Sequence, residues 1–479
     1  MKSSLNTLAR ALCFFSFFSS HSVFAAEGSP PIDIKTIVKT EDRAKEAYLW
    51  GYPYVKFERT KKLMTTTPGY GHAPLNSFFH ARRSAQPGEK GLSNPLPDTL
   101  FSSAFVDLRQ QPLVLSLPKI SDRYFSLQFM DASGSNVALL SSRTHGESPG
   151  RFFITGPHFI GTTPLGFQHI HSTTNFLWII GHIAAVTPDQ VRKATALLNK
   201  YELQPYDVYI GKTKPAKVPR LKGTYTQDMD PRKISEAGVQ FYDELGQALQ
   251  ENEPSNLDSA LISRFRSIEV GSGLKTSAKT TLRELREAYE RAIAAAEMEL
   301  DKTVKNEILA KQQGWSYVLR PDDFGKNYAL RAAVSKVYFA EPASVEALHP
   351  VTSTDRNGVR LNGNNTYLLR FEKGQTPPAR SFWSLVPYNL QSKSLVQNNL
   401  NRYSLGSYSK DLAPNADGSI DIYLSANEPQ GHTTNWLPTP RGNFYVMLNI
   451  YQPGPEIFDG KYLLPRPQKI TFTRSLSSR

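Results

Sequence analysis

Seven side chains in the C-terminal third of the chain combine aromatic rings with groups that form directional hydrogen bonds. Trp and Tyr rings stack on sugar faces or line apolar pockets, while Asn and Arg bind hydroxyl and carboxylate groups. Structural uses are also open, because a strand Trp can pack in a core and an Arg can pair with a buried Asp. We interpret the density of the set as a ligand-binding site formed by Trp383, Tyr388, Asn389, Asn398, Arg402, Tyr403 and Trp436.

Candidates for catalysis are few, because the sequence contains no complete catalytic motif. Residues 146–150 fit the G-x-S-x-G pattern of hydrolases, but Pro149 has no N–H for an oxyanion hole, and a strand is predicted to follow. If the protein is a hydrolase or a lyase, the first acid–base or charge-stabilising candidates are Asp98, Asp131 and Arg402.

Two histidines are spaced so that they could share a metal ion. His169 and His171 are two residues apart, so on a strand their rings lie on one face, and His158 or His182 could supply a third ligand. No carboxylate lies close by in the sequence. We therefore favour hydrogen-bonded histidines on a polar strand face, and we predict neither a metal site nor a cofactor.

The first 25 residues are typical of a signal peptide. Lys2 and Arg10 flank a short apolar run. Val23 and Ala25 supply the small residues that favour cleavage after Ala25. The run is about half of the ~20 residues that a membrane-spanning helix needs. Cys13, the single cysteine, leaves with this segment, which excludes disulfides from the mature chain. We expect a periplasmic or secreted protein without a transmembrane helix.

The chain is basic, with a formal net charge of +13 over 479 residues, of which 39% are hydrophobic. This length allows two or more domains with ordinary cores. The cations are dispersed and no nucleic-acid-binding signature is present, so we expect no nucleic-acid partner. A basic exported protein can still associate peripherally with anionic lipids or glycans of the envelope.

Strand patterns towards both ends of the chain enclose a helical middle. Alternating apolar and polar residues predict strands over about 100–184 and again after Gly314. A short helix is predicted over 41–48, a helix with a capping box begins at Thr-Pro-Asp-Gln (187–190), and the longest helix is predicted over 280–312. We divide the chain into a signal peptide (1–25), an N-terminal β-rich domain (41–186), a helical connector (187–313) and a C-terminal β domain (314–479).

Motifs in both β-rich regions resemble two bacterial families. The C-terminal region resembles domain of unknown function 1214 through Tyr367-x-Leu-x-Phe371, Phe382-Trp383-Ser384, Tyr388-Asn389, Asn398, Arg402-Tyr403-Ser404, Asp417-Gly418-Ser419, Asn435-Trp436-Leu437-Pro438-x-Pro440 and Tyr451-x-Pro453. The N-terminal region is similar to its usual companion, domain of unknown function 1254, through Tyr52-Pro53, Asp98-Thr99-Leu100, Asp107-Leu108, Leu115-x-Leu-Pro118, Tyr124, Asp131 and Gly156-Pro157. Pro97, Phe101 and His182 depart from the residues usual in that second family.

The resemblance implies exported or cell-envelope proteins that form oligomers and have no established activity. It also implies a mainly β fold, with two antiparallel jelly-roll-like β domains and a helical insert between them. The function expected first is binding of a small molecule or glycan at the aromatic, Asn and Arg side chains. The alternatives are a hydrolase or lyase acting on envelope or imported substrates, and a structural homo-oligomer.

Overall fold

The computed structural model describes residues 33–88, 94–218, 229–321, 323–410 and 412–471. The predicted signal peptide at 1–25 lies outside these residues. Within them the chain folds into four β-sheets and nine α-helices. None of the helices in these ranges is both long enough and apolar enough to cross a membrane.

The N-terminal unit consists of two packed sheets. Its strands are β1 (Phe79–His80), β2 (Thr99–Asp107), β3 (Leu113–Leu117), β4 (Phe125–Asp131), β5 (Asn136–Ser141), β6 (Gly150–Thr155), β7 (Gln168–His171), β8 (Phe176–Ala184) and β9 (Glu202–Pro205). One sheet has the order β1-β2-β8-β4-β5 and the other has the order β7-β6-β3-β9. Side chains such as Leu115, Phe129 and Ile179 fill a shared core between them.

Strand β8 is buried on both faces, which explains its almost continuous apolar sequence. Alternate residues of a strand point to opposite faces. Leu177 and Ile179 enter the core between the two sheets, whereas Trp178 and Ile180 belong to a second core shared with the helices. The five-stranded sheet therefore lies between the other N-terminal sheet and a helical layer.

Helices contribute more of the fold than the sequence patterns predict. They are α1 (Ile34–Thr66), α2 (Pro188–Leu198), α3 (Tyr206–Tyr209), α4 (Gln240–Glu251), α5 (Ser259–Arg266), α6 (Thr276–Lys279), α7 (Arg283–Thr303), α8 (Tyr328–Tyr338) and α9 (Pro455–Phe458). Residues of α1, α4, α7 and α8 share the helical core. Helix α2 begins with the predicted capping box, in which Thr187 and Gln190 exchange side-chain-to-backbone hydrogen bonds.

Two predicted helix boundaries are wrong. Helix α1 has 33 residues and runs through Pro53, well beyond the helix predicted over 41–48, because Trp50, Tyr54 and Phe57 are buried against the other helices. Helix α7 ends at Thr303, and after one π-helical turn the chain enters a strand at Leu309. Tertiary packing overrides the local propensity in both places.

The C-terminal unit also consists of two sheets. Its strands are β10 (Leu309–Gln312), β11 (Trp315–Val318), β12 (Ala347–Leu348), β13 (Val351–Thr352), β14 (Thr366–Phe371), β15 (Ala379–Asn389), β16 (Leu405–Gly406), β17 (Ile420–Ser425), β18 (Trp436–Pro438), β19 (Phe444–Pro453) and β20 (Gln468–Ile470). One sheet has the order β10-β11-β13-β19-β15-β16, with β12 also paired to β19, and the other has the order β18-β17-β14-β20. Leu369, Leu385 and Leu448 lie in the core between them.

The four sheets agree with the predicted mainly β architecture, but the sheets are not purely antiparallel. Strands β6 and β7 pair in parallel, as do β17 and β18. In both cases a loop of about ten residues carries the chain back before it pairs, so a tight antiparallel hairpin does not form. Whether either unit is a jelly roll stays a prediction.

Candidate functional site

A cavity of about 510 Å³ lies where the two β units and the helical layer meet. The N-terminal sheet, helix α1, the end of helix α8 and the C-terminal unit each supply part of its wall. The wall includes Lys56, Thr99, Phe101, Trp178, Ile180, His182, Arg232, Lys336, Val337, Phe339, Glu341, His349 and Met447.

The register of β2 and β8 places aromatic and apolar side chains along one wall. Phe101 pairs with His182 across these strands, and Trp178 and Ile180 follow on the same face of β8. The indole nitrogen of Trp178 donates to the hydroxyl of Ser103 at 2.9 Å, which fixes the ring. Most of this wall is therefore preformed and apolar.

Lys56 brings a nearly buried ammonium group to the cavity. It lies on helix α1 within the aromatic run Tyr-Pro-Tyr-Val-Lys-Phe (52–57), and its side chain approaches the ring of Phe339, with 5.8 Å from Nζ to the ring centroid. Its Nζ donates to the carbonyl of Lys336 at 3.4 Å, and no carboxylate of the described residues lies within ion-pair distance. Burial lowers the pKa of Lys56 from 10.5 to about 8.

The other cations of the wall are already paired. Lys336 contacts Glu297 at 2.7 Å and Asp301 at 2.6 Å. Arg232 contacts Asp230 at 2.6 Å. Lys56 forms no ion pair among the described residues, and the charge of Asp230 only partly offsets its burial.

His349 connects the cavity to a buried carboxylate through one amide side chain. Its Nδ1 lies 2.8 Å from Oδ1 of Asn449. The amide nitrogen of Asn449 donates to Asp98 at 3.3 Å and to Ser384 at 3.1 Å. The amide nitrogen thus faces Asp98 and Ser384, and the amide oxygen faces His349. His349 then donates from Nδ1, and Nε2 is directed towards Glu341, 3.6 Å from its Oε2.

Asp98 joins the two β units. It immediately precedes β2, is fully buried, and accepts hydrogen bonds from Ser384, Asn449 and, at 3.2 Å, Tyr451. Ser384 and Asn449 are directly paired on β15 and β19, and Tyr451 lies two residues further on the same face. Burial raises the pKa of Asp98, and the three hydrogen bonds oppose that effect. Of the three predicted catalytic residues, Asp98 is the one linked to the cavity.

His182 contributes a neutral imidazole to the same wall. Its Nδ1 is 3.2 Å from the hydroxyl of Thr99. Burial lowers the pKa of His182 to about 4, and the charge of nearby His349 acts in the same direction. The ring is therefore uncharged at neutral pH, so it adds polarity without charge.

The seven side chains predicted to bind a ligand do not gather around one cavity in the described structure. Trp383 lies in the C-terminal core, 5.1 Å from the ring of Phe371. Tyr388 is buried on the opposite face of β15 and donates to the carbonyl of Pro95 at 3.1 Å, across the interface between the units. Asn389 accepts from two backbone N–H groups of the turn that follows β15.

The remaining members of that set hold loops together. Asn398 donates to the carbonyl of Arg402 at 2.9 Å, and Arg402 donates through Nη1 to the carbonyls of Thr433 at 2.6 Å and Trp436 at 2.8 Å. Arg402 and Tyr403 also line an open depression of about 830 Å³ on the surface between the two units. Hydrogen bonds to backbone carbonyls thus connect Arg402 with Asn398 and Trp436.

Asp131 closes a turn at the end of β4. Its Oδ1 accepts from the N–H of Ser133 at 2.9 Å and the N–H of Ser135 at 3.0 Å, and its Oδ2 accepts from Thr173. It does not line the interdomain cavity. These contacts fix the backbone and do not place the carboxylate against a ligand.

His169 and His171 share a protein partner. The hydroxyl of Thr155 lies 2.8 Å from Nε2 of His169 and 3.2 Å from Nδ1 of His171. Across the described residues, no group of three or more His, Cys, Asp or Glu side chains is arranged to hold a metal ion. The pair therefore has the geometry of hydrogen-bonded histidines on a strand face.

Sequence reasoning missed Lys56, His349 and Asn449. The signal for Lys56 was available, because a single Lys inside an aromatic helical run is either buried or functional. His349 offered no local signal, since its partner lies 100 residues away in the sequence. Asn449 stands in an otherwise apolar strand, where a buried amide needs a polar partner.

Comparisons with known proteins identify two family regions. Residues 75–205 match the family described as "Protein of unknown function (DUF1254)", and residues 346–455 match "Protein of unknown function (DUF1214)". The predicted tandem order is therefore confirmed. No curated protein matches the chain.

Two solved structures are similar to the chain. The VPA0106 protein from Vibrio parahaemolyticus is 23% identical, covers 90% of this chain and 100% of its own, and superimposes with a TM-score of 0.71. An uncharacterized protein from Burkholderia cenocepacia is 12% identical, over 91% of this chain and 96% of its own, with a TM-score of 0.41. The Vibrio protein shows the same overall fold.

Proposed function

We propose that this chain, which carries a DUF1254 region followed by a DUF1214 region, binds an amphipathic organic acid in the cavity between its two β units. The cavity volume of about 510 Å³ is that of a small-molecule site. Its apolar wall suits a hydrocarbon or aromatic body. Its polar groups suit a single acidic head group.

The observation that carries the proposal is the position of Lys56. A buried ammonium without an ion-pair partner is costly, and an ionisable group with a perturbed pKa in a cavity is a candidate for ligand binding. A ligand carboxylate at Nζ would restore the missing charge partner and form a charge-assisted hydrogen bond. The apolar rings of Trp178, Phe101 and Phe339 would cover the rest of the ligand.

The wall favours an organic acid over the predicted glycan. A sugar needs many directional hydrogen bonds to its hydroxyl groups, whereas the polar groups here are few and several are already paired. The periplasmic or secreted location, envelope association and homo-oligomeric state predicted from the sequence remain part of the proposal.

A titration of the purified full chain with decanoate and decanol tests the proposal. We expect decanoate to bind one per chain and decanol to bind more weakly, because decanol lacks the charge that Lys56 requires. Val337→Trp places a large ring at the cavity wall and should block both ligands. Val345→Trp is the matched control, because Val345 is also partly exposed but does not line the cavity. Equal binding to wild type and Val337→Trp would reject the cavity as the site.

A second candidate function is acid–base catalysis on the bound acid, which the linkage of His349 to Asn449 and Asp98 favours. With Nδ1 bonded to Asn449, His349 would act as a base through Nε2, which lies at the cavity wall 3.6 Å from Oε2 of Glu341. Nε2 would accept a proton from a carbon next to a carbonyl group of the ligand, and the C–H electrons would enter the carbonyl as an enolate. This is the first step of a lyase or an isomerase.

Deuterium exchange into 2-oxodecanoate tests this second function. In deuterated water the wild type should exchange the C3 hydrogens of 2-oxodecanoate faster than buffer does. His349→Gln should abolish the exchange while 2-oxodecanoate still binds. Unchanged exchange in this variant would exclude His349 as the base.

A further inference from the structure

We propose that the loop 156–167, between β6 and β7, docks the protein onto an anionic lipid surface. The proposal is independent of the cavity, since none of these residues lines it. The loop would attach the protein to an envelope membrane, whereas the cavity would bind a small molecule.

The loop carries two large aliphatic side chains that make almost no contact with the protein. Ile160 is 98% exposed and Leu165 is 102% exposed, more than any other large hydrophobic side chain of the described residues. Single exposed aliphatics are ordinary, but two fully projecting ones on one loop form a tip with no role in the fold. Such a tip gains stability only when another apolar phase covers it.

The base of the loop is held by a cluster of aromatic rings. The ring of Phe153, on β6, lies 5.5 Å from Phe159 and 5.1 Å from Tyr206. Phe167 lies 5.4 Å from Tyr209, on helix α3. The tip is thus presented on a rigid base, which lowers the entropic cost of insertion. Aromatic rings at the base of an inserted loop also suit the boundary between lipid headgroups and acyl chains.

Arg151 places a positive charge beside the aromatic base. Its guanidinium lies over the ring of Phe167 at 5.5 Å and donates to the hydroxyl of Tyr209 at 3.1 Å. Its Nη2 is also close to Gly166, next to the tip. Lys212 is largely exposed but pairs with Asp207, so these two charges offset each other, and Glu253 lies 3.3 Å from His158 of the loop. An apolar tip with a flanking cation is complementary to anionic headgroups above acyl chains.

A lipid surface explains this arrangement better than a protein partner. A stable protein interface buries roughly 800 Å² on each side, which one narrow loop does not offer. Two inserted aliphatic side chains, with Arg151 at the headgroups, suit weak and reversible peripheral binding. The net charge is +13 for the full sequence and +11 once Lys2 and Arg10 leave with the predicted signal peptide, and it adds a general attraction to the same surface.

Co-sedimentation of the purified full chain with lipid vesicles tests the proposal. We expect binding to vesicles of equimolar phosphatidylglycerol and phosphatidylcholine, weaker binding to phosphatidylcholine alone, and release by 0.5 M NaCl, because salt screens the cations. The double variant Ile160→Ser, Leu165→Ser should bind at least about tenfold more weakly. Its melting temperature should equal that of the wild type, since neither side chain packs in the fold.

A matched double variant controls for the general loss of surface hydrophobicity. Leu257 and Met298 are 85% and 74% exposed and lie on the helical layer, so Leu257→Ser, Met298→Ser should bind vesicles like the wild type. Equal binding by the wild type and the loop variant would overturn the proposal. So would a change of oligomeric state in the loop variant without a change in vesicle binding, because the tip would then contact a second copy of the chain.

Discussion

Nδ1 of His349 lies 2.8 Å from Oδ1 of Asn449, and through this contact a residue of the cavity wall is linked to Asp98 in the other β unit. Asn449 connects the two residues. The same amide therefore contributes one of several hydrogen bonds between the units and fixes which nitrogen of His349 faces the cavity.

Removing the carboxylate of Asp98 should strongly destabilise the protein. Asp98→Ala removes the acceptor of the buried hydroxyls of Ser384 and Tyr451 and one of the two acceptors of Asn449, and we expect the free energy of unfolding to fall by about 2–5 kcal/mol. Urea unfolding at pH 7 measures this loss. Asp189→Ala, at an exposed position, is the control and should change the free energy by less than about 0.5 kcal/mol. A change of less than about 0.5 kcal/mol for Asp98→Ala would mean that the hydrogen bonds to Asp98 do not stabilise the interface between the units.

Replacing Lys56 should stabilise the protein while removing a binding group. The folded-state pKa of about 8 is below the ordinary 10.5, so below pH 8 the fold holds the proton less tightly than the unfolded chain does. Below pH 8 the fold bears the full free-energy cost of the buried ammonium charge, and this cost disappears as the pH rises from 8 to 10.5. Lys56→Met should raise the free energy of unfolding at pH 7 by on the order of 2–3 kcal/mol. Urea unfolding at pH 7 and pH 10 should show a smaller gain at pH 10, and a destabilised variant at pH 7 would count against the buried charge.

Arg402 should behave as a structural residue. Arg402→Lys keeps the charge but cannot reach the carbonyls of both Thr433 and Trp436 with a planar donor, so we expect the melting temperature to fall, corresponding to about 1–2 kcal/mol. The affinity for decanoate should stay unchanged. Arg441→Lys, on the exposed surface, is the matched control. A loss of ligand binding with an unchanged melting temperature would instead support the site that the sequence predicted at Arg402.

Binding of decanoate should weaken as the pH rises through 8. Decanoate is ionised throughout this range, whereas Lys56 loses its proton above its pKa of about 8. The apparent dissociation constant should therefore be flat from pH 6 to 7 and should increase roughly fivefold between pH 8 and pH 9. Calorimetric titration measures it, and decanol should show no such change. A flat profile for decanoate would mean that another group binds the carboxylate.

Much of the fold was predictable because its signals are local. The capping box at Thr187 and Gln190 and the apolar patterns of β14 and β19 depend on residues that are neighbours in the sequence. The structure has the capping box and both strands, with alternating burial in β14 and burial of both faces in β19. Helix α1 was underestimated because its burial comes from α4, α7 and α8, which local patterns do not show. The parallel strand pairs were missed for the same reason.

The candidate site was predictable only in part. Asp98 was singled out from the sequence as an acid–base candidate, and that role stays a prediction. Its hydrogen-bond partners could not be foreseen, because they come from strands almost 300 or more residues away. Trp383 and Tyr388 lie on opposite faces of β15, which puts one ring in the C-terminal core and the other in the interface between the units. Sequence spacing cannot tell an interface from a ligand site when both bury aromatic and amide side chains.

The most direct test of the cavity proposal is the calorimetric affinity of Lys56→Met for decanoate at pH 7, compared with that of Lys39→Met, an exposed lysine of the same helix. The proposal predicts that Lys56→Met binds decanoate at least about tenfold more weakly, because one charge-assisted hydrogen bond is lost, while Lys39→Met binds like the wild type. Equal affinities of the two variants for decanoate would contradict it.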